Sequence, residues 1–122
     1  MNDDHIELSI VIPCLNEEDT VGLCIEKAFS NLKKLKINGE VILSDNGSSD
    51  KSVSIAQNKG AKIVNVKNKG YGAALKAGIE KSKGKYILFA DADNSYDFNQ
   101  IDKFYKELKN GHDLVQGCRL ES

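Results

Sequence analysis

Short β-branched runs alternate along this chain with segments whose apolar residues recur at helical spacing. Leu8-Ser9-Ile10-Val11-Ile12 is the first such run, and Pro13, which cannot donate to a central ladder, predicts that the strand stops there. Asn16, three residues before Asp19, is the expected N-cap of a helix whose inner face carries Val21, Ile25, Ala28, Phe29 and Leu32. Glu40 to Ser44 reads as a second strand. Asp45-Asn46-Gly47-Ser48-Ser49 has turn chemistry, and a short helix follows from Asp50 until Gly60 closes it.

The alternation continues. Lys62 to Val66 predicts a third strand, followed by a Gly-rich loop and a helix with Ala74, Leu75, Gly78 and Ile79 inward, stopped at Gly84. Lys85 to Ala90, apolar from Tyr86 onward, predicts a fourth strand. Ile101, Phe104, Tyr105 and Leu108 fall at i, i+3, i+4 and i+7 of a last helix ending at Gly111, and Asp113 to Gly117 reads as a fifth strand. Strands that alternate with helices and read as continuous apolar runs predict an α/β fold. Its single doubly wound, mostly parallel sheet carries helices on both faces.

Composition narrows the function classes. The 122 residues, 40% of them hydrophobic, suffice for one packed domain over 1–122. Seventeen basic against eighteen acidic side chains give a net charge of -1, so no global field favours nucleic acid or an anionic membrane, and any phosphate site must be local. Cys14, Cys24 and Cys118 are odd in number and lack C-x-x-C spacing, which points to a reducing, cytoplasmic setting. The apolar runs fall far short of the roughly 20 residues that span a bilayer. His5 and His112 have no partner at ligand spacing, and the lysine-rich stretches Lys33 to Lys36 and Lys103 to Lys109 read as solvated faces.

In an open doubly wound sheet the ligand crevice lies outside the carboxyl ends of the strands, so the residues after each strand carry the chemistry. They are polar here: Asn16-Glu17 after the first, Asp45-Asn46-Gly47-Ser48 after the second, Asn68-Lys69-Gly70-Tyr71-Gly72 after the third, Asp91-Ala92-Asp93 after the fourth. Asp91 and Asp93 at the end of a buried strand would repel each other unless a cation joined them. Mg2+ or Mn2+, held by one or two carboxylates plus substrate phosphates, fits that arrangement. Asp45 has two compatible roles, as an Asx-turn acceptor and as a hydrogen-bond acceptor for a base edge or ribose hydroxyl. Lys69 and Gly70 bring a cation and free N–H groups to a helix start, where an anion is favoured, although a tight turn explains the glycines equally well. The third glycine of a dinucleotide fingerprint would fall at Leu75, and no Gly-Lys-Ser/Thr ending supports a P-loop.

Ser9-Ile10-Val11-Ile12-Pro13 to Asn16-Glu17, Ser44-Asp45-Asn46-Gly47-Ser48-Ser49-Asp50, Lys69-Gly70-Tyr71-Gly72-Ala73-Ala74 and Asp91-Ala92-Asp93 together resemble the donor half of family 2 glycosyltransferases. The polyprenyl-phosphate (dolichol-phosphate) mannosyl- and glucosyltransferases are the nearest likeness, and it runs from Leu8 to Arg119. The resemblance implies a GT-A fold that binds a nucleotide-sugar donor. Pro13, Leu15, Glu17 and Asp45 would line the base and ribose pocket, Asp91 and Asp93 would hold the metal, and Asp93 would be the first catalytic residue. It also implies a polyprenyl-phosphate acceptor met by Arg119, which ends Leu114-Val115-Gln116-Gly117-Cys118-Arg119, and inversion at the sugar. Two departures stand out. Asp45-Asn46 replaces the paired aspartates of many relatives, and relatives continue well beyond Ser122 with the rest of the acceptor site and often membrane-associated helices. The chain is therefore expected to bind donor at the cytoplasmic membrane face of a longer form, without transferring sugar alone, and to self-associate as a homo-oligomer through its fifth strand.

Three other classes compete. A binding-only donor module fits the same residues. A response-regulator receiver needs an acidic pair after the first strand and a lysine after the fifth, where this chain has Asn16-Glu17 and Cys118-Arg119. A nucleotidyltransferase would begin with a basic Gly-rich loop, and this first loop is acidic.

Overall fold

The computed structural model describes residues 6–93 together with Ile101, Lys103 and Lys106. Over these, β1 (Leu8–Cys14), α1 (Val21–Lys34), β2 (Gly39–Asp45), α2 (Ser52–Asn58), β3 (Lys62–Asn65), α3 (Tyr71–Lys81) and β4 (Tyr86–Phe89) follow in order. The sheet order is β3-β2-β1-β4 and every pairing is parallel, Ile10 lying opposite Val41 on one side and Leu88 on the other. The expected parallel α/β sheet is present. A receiver-like order would put β3 beside β1, and here β4 takes that place.

Strand periodicity sorts the two faces. Leu8, Ile10, Ile12 and Cys14 of β1 join Val41 and Leu43 of β2 in one core cluster with Val21, Cys24, Ile25, Ala28 and Leu32 of α1 and Ala56 of α2. Burying each large aliphatic side chain there contributes about 1.5–3 kcal/mol. Ile101 belongs to the same cluster, as its apolar spacing predicts. The remaining expectations of that last helix (Phe104, Tyr105, Leu108), the fifth strand over 113–117, Cys118 and Arg119 lie outside the described residues, as do His5 and His112. On the other face α3 packs against β1 and β2 through small residues. A Cβ on Gly78 would sit 2.3 Å from Val11 Cγ1, so only glycine lets the helix approach this closely.

Three local expectations are corrected. Pro13 does not end β1, which runs on to Cys14 with Pro13 opposite Ser44. The carbonyl of Val11 accepts from Ala90 N, so strand alternation turns the position of Pro13's missing N–H toward β4, which has ended at Phe89 and asks for no donor. Asn16 is not the N-cap of α1; it has φ of +53° and its side chain reaches the loop after β2, while Thr20 takes the cap position. Ile79 is 43% exposed, because Ala74 and Gly78, one turn apart, form the inner stripe of α3 and Ile79 lies off it.

Candidate functional site

Because β3 and β2 lie on one side of β1 and β4 on the other, the chain reverses its winding direction between β1 and β4. The crevice of such a sheet opens at that switch point, beyond the carboxyl ends of the strands. A cleft of about 750 Å³ lies there. Its walls include Pro13, Leu15 and Glu17 after β1, Asn46 and Gly47 after β2, Lys69, Gly70 and Tyr71 before α3, and Asp91, Ala92 and Asp93 after β4. Four loops distant in sequence thus meet in one cavity.

The loops after β1 and β2 are zipped together. Asn16 Oδ1 accepts the Ser49 N–H at 2.8 Å, Ser48 Oγ accepts the Asn16 N–H at 2.8 Å, Ser52 Oγ accepts the Glu17 N–H at 2.9 Å, and Glu18 Oε1 accepts the Lys51 N–H at 2.9 Å. With its backbone held, Glu17 faces the carboxylates after β4. Its carboxyl is pushed up from its ordinary value, first by burial and then by the negative charges of Asp93, Asp50 and Asp91. Negative charge is therefore concentrated at this end of the cleft.

Asp45 is buried and its carboxylate is turned into its own loop. Oδ2 accepts the N–H groups of Gly47 and Ser48 at 3.2 and 3.0 Å, and Oδ1 accepts the Ser48 hydroxyl at 2.6 Å. The Asx-turn role is therefore realised, and Asn46 and Gly47 of that turn, rather than Asp45, line the cleft. Gly47 needs to be glycine, since its φ is +94°.

Asp91 is half-buried, Asp93 is exposed, and the buried Ala92 between them is gripped from below. Thr20 Oγ1 donates to the Ala92 carbonyl at 2.6 Å, and Cys24 Sγ lies 3.4 Å from the same oxygen and 3.7 Å from the Asp91 carbonyl. Above, the Tyr71 hydroxyl is 3.2 Å from Asp91 Oδ1. Among the described residues no three His, Cys, Asp or Glu side chains converge on one point. Two carboxylates beside an open cavity could hold a hard divalent cation of the Mg2+ or Mn2+ kind.

Lys69 and Gly70 line the same cleft as these carboxylates, where α3 begins with no side-chain cap. The first-turn N–H groups and the helix dipole favour an anion there. Gly70 has φ of +118°, so the turn itself requires glycine.

Pro13, Leu15, Glu17, Lys69, Gly70, Asp91 and Asp93 are thus brought together; Asp45 supports the site from behind, and Arg119 lies outside the described residues. Sequence reasoning did not single out Thr20, Cys24, Asn46 or Tyr71 for a role. Thr20 and Cys24 carried a signal, being i and i+4 at the start of a helix that follows a cleft strand. Cys14 and Cys24 are buried and form no disulfide, and burial pushes the Cys14 thiol up from its ordinary value. No described helix is long and apolar enough to cross a membrane.

The chain is similar in sequence and in fold to known proteins. The family model described as glycosyl transferase family 2 matches residues 9–122. The low-salt glycan biosynthesis hexosyltransferase Agl6 of Haloferax volcanii is 39% identical over 115 residues, covering 93% of this chain and 28% of its own length. The human dolichyl-phosphate beta-glucosyltransferase is 36% identical over 115 residues, covering 84% of this chain and 36% of its own length. Among solved structures, glucosyl-3-phosphoglycerate synthase from Mycobacterium tuberculosis, in complex with Mn2+ and UDP-glucose, superimposes with a TM-score of 0.73 at 26% identity, covering 87% of this chain and 40% of that one. The chain spans less than half the length of each of these relatives.

Proposed function

The chain belongs to glycosyl transferase family 2, and from that premise we propose that its cleft binds a UDP- or GDP-sugar with a divalent cation as the donor half of a glycosyltransferase site. The observation that carries the reading is that the Asp91 and Asp93 carboxylates share one cavity with Lys69 and the uncapped start of α3. Anion-seeking and cation-seeking groups sharing one cleft are what a metal diphosphate requires.

In this reading Asp91 and Asp93 hold Mg2+ or Mn2+, while Lys69 and the first turn of α3, which Gly70 opens, receive diphosphate oxygens. Pro13, Leu15 and Glu17 face the nucleoside, and Asp45 serves the same side through the turn it ties. Leu15, 53% exposed in the cleft wall, offers apolar surface for a base or sugar to cover. When bound, the cation neutralises charge on the departing nucleoside diphosphate. The residues' own contribution is to orient the sugar for in-line attack with inversion. A polyprenyl phosphate acceptor is supported by the name of the human dolichyl-phosphate relative, and Arg119 is the residue proposed to meet it. An anionic phosphate oxygen is already a nucleophile, so no strong general base is needed.

Titration calorimetry of UDP, GDP and UDP-glucose in Mn2+ tests the proposal. Saturable binding of one base series, lost on Asp91→Ala, is expected; heat indistinguishable from dilution for every nucleotide would overturn it.

A further inference from the structure

Asn46 lies at the carboxyl end of β2, one strand away from β1 and two from β4, yet its hydrogen bonds lead to the carboxylate after β4. Its Nδ2 donates to the Asn68 carbonyl at 3.1 Å and its Oδ1 accepts the Gly70 N–H at 2.8 Å. Both partners are main-chain groups that act in one sense only, so the orientation of the carboxamide is fixed by them. We propose that Asn46 is a positioning residue, whose carboxamide fastens the loop between β3 and α3 and through Gly70 and Tyr71 sets the place of the Asp91 carboxylate. The inference rests on the donor-site reading above for what Asp91 does, but the fastening itself stands on the loop geometry.

Gly70 is the hinge of this connection. Its carbonyl accepts the Ala74 N–H at 3.1 Å, so the residue whose amide Asn46 holds also closes the first turn of α3. Tyr71 comes next in the chain, more than half exposed, and its hydroxyl reaches Asp91 Oδ1 at 3.2 Å. A phenol donating to a carboxylate makes a charge-assisted bond, which restricts the carboxylate before any cation arrives. Three side-chain hydrogen bonds therefore tie the carboxyl end of β2 to that of β4 across the mouth of the cleft, without passing through β1 between them.

The carboxamide is chemically necessary for this. An aspartate at 46 would still accept from Gly70 but could not donate to Asn68, and would set a negative oxygen against that carbonyl. Asn46→Asp thus changes the bonding at almost constant volume.

The experiment uses the full chain, with amide hydrogen exchange in the absence of ligand and calorimetry of UDP in Mn2+, on the parent, Asn46→Asp, Tyr71→Phe and the double variant. Exchange at Gly70 should accelerate about tenfold or more, the scale of losing one hydrogen bond, in a further variant, Asn46→Ala, which removes its acceptor. It should not accelerate in Asn46→Asp, which keeps the acceptor, with exchange in β1 unchanged as evidence that the fold is kept. Affinity for UDP with Mn2+ should fall about tenfold on the same scale, and the double variant should lose less than the product of the two single losses, since both act on Asp91. Unchanged Gly70 exchange in Asn46→Ala, or affinity losses that simply multiply, would overturn the positioning role while leaving the donor site intact. If the parent binds no UDP in Mn2+, the donor-site reading falls and takes the consequence at Asp91 with it.

Discussion

The Thr20 hydroxyl donates to the carbonyl oxygen of Ala92 at 2.6 Å, which fixes the middle residue of Asp91-Ala92-Asp93 onto the start of α1 across 72 positions of sequence. The two flanking carboxylates can stay poised over the cleft only if that peptide is held. Thr20→Val keeps the shape and removes the donor, leaving the carbonyl to the weaker contact with Cys24 Sγ. We expect a stability loss of about 0.5–1.5 kcal/mol by urea denaturation, with a several-fold loss of Mn2+-dependent UDP affinity, and recovery of both in Thr20→Ser. Parent-like binding by the valine variant would show that the clasp is structural alone.

At the opposite end of the sheet, Glu40 is buried and serves stability. Its carboxylate accepts the Ser9 hydroxyl at 2.6 Å, the Lys83 N–H at 2.7 Å and the Lys62 ammonium at 2.7 Å. Burial alone would raise its pKa, but these donors outweigh it and hold the carboxyl below its ordinary value. A depressed folded value gives stability that is complete above the unfolded carboxyl pKa and is lost as the pH falls through the folded one. Glu40→Ala should therefore cost about 1.5–3 kcal/mol near neutral pH, and the gap from the parent should shrink as the pH falls below about 4. An equal gap at pH 7 and pH 3 would contradict the assignment.

Ser44 presents the converse case. Its hydroxyl is wholly buried between β2 and α3 and has no hydrogen-bond partner among the described residues. An unpaired buried hydroxyl costs about 1–3 kcal/mol, so Ser44→Ala should be neutral or should raise the melting temperature. Gly78→Ala in the same contact should lower it, by about 1–3 kcal/mol of overpacking. A clearly destabilised Ser44→Ala would mean that the hydroxyl has found a partner.

Much of this was legible in the sequence, because parallel strands buried on both faces announce themselves as unbroken apolar runs and the loops after them stand out as polar. Asp91, Asp93, Glu17 and Lys69 were found that way. What stayed hidden depends on partners far along the chain. Asn16 carries a local capping signal, but its side chain bonds 33 positions away, to Ser49. Pro13 continues a strand because its neighbour on that side has ended, which only strand order reveals. Asn46 reads as a lost charge until the loop it holds is seen.

The most direct test of the account is the thermal shift given by UDP or GDP with Mn2+, set against the same nucleotide in EDTA and against Asp93→Ala. Two cleft carboxylates facing a diphosphate crowd like charges unless a cation joins them, so stabilisation should need both the metal and Asp93. A shift present with Mn2+, absent in EDTA and absent in Asp93→Ala is the predicted result. Equal stabilisation with and without the metal, or in the variant, would contradict a metal-diphosphate site at Asp91 and Asp93.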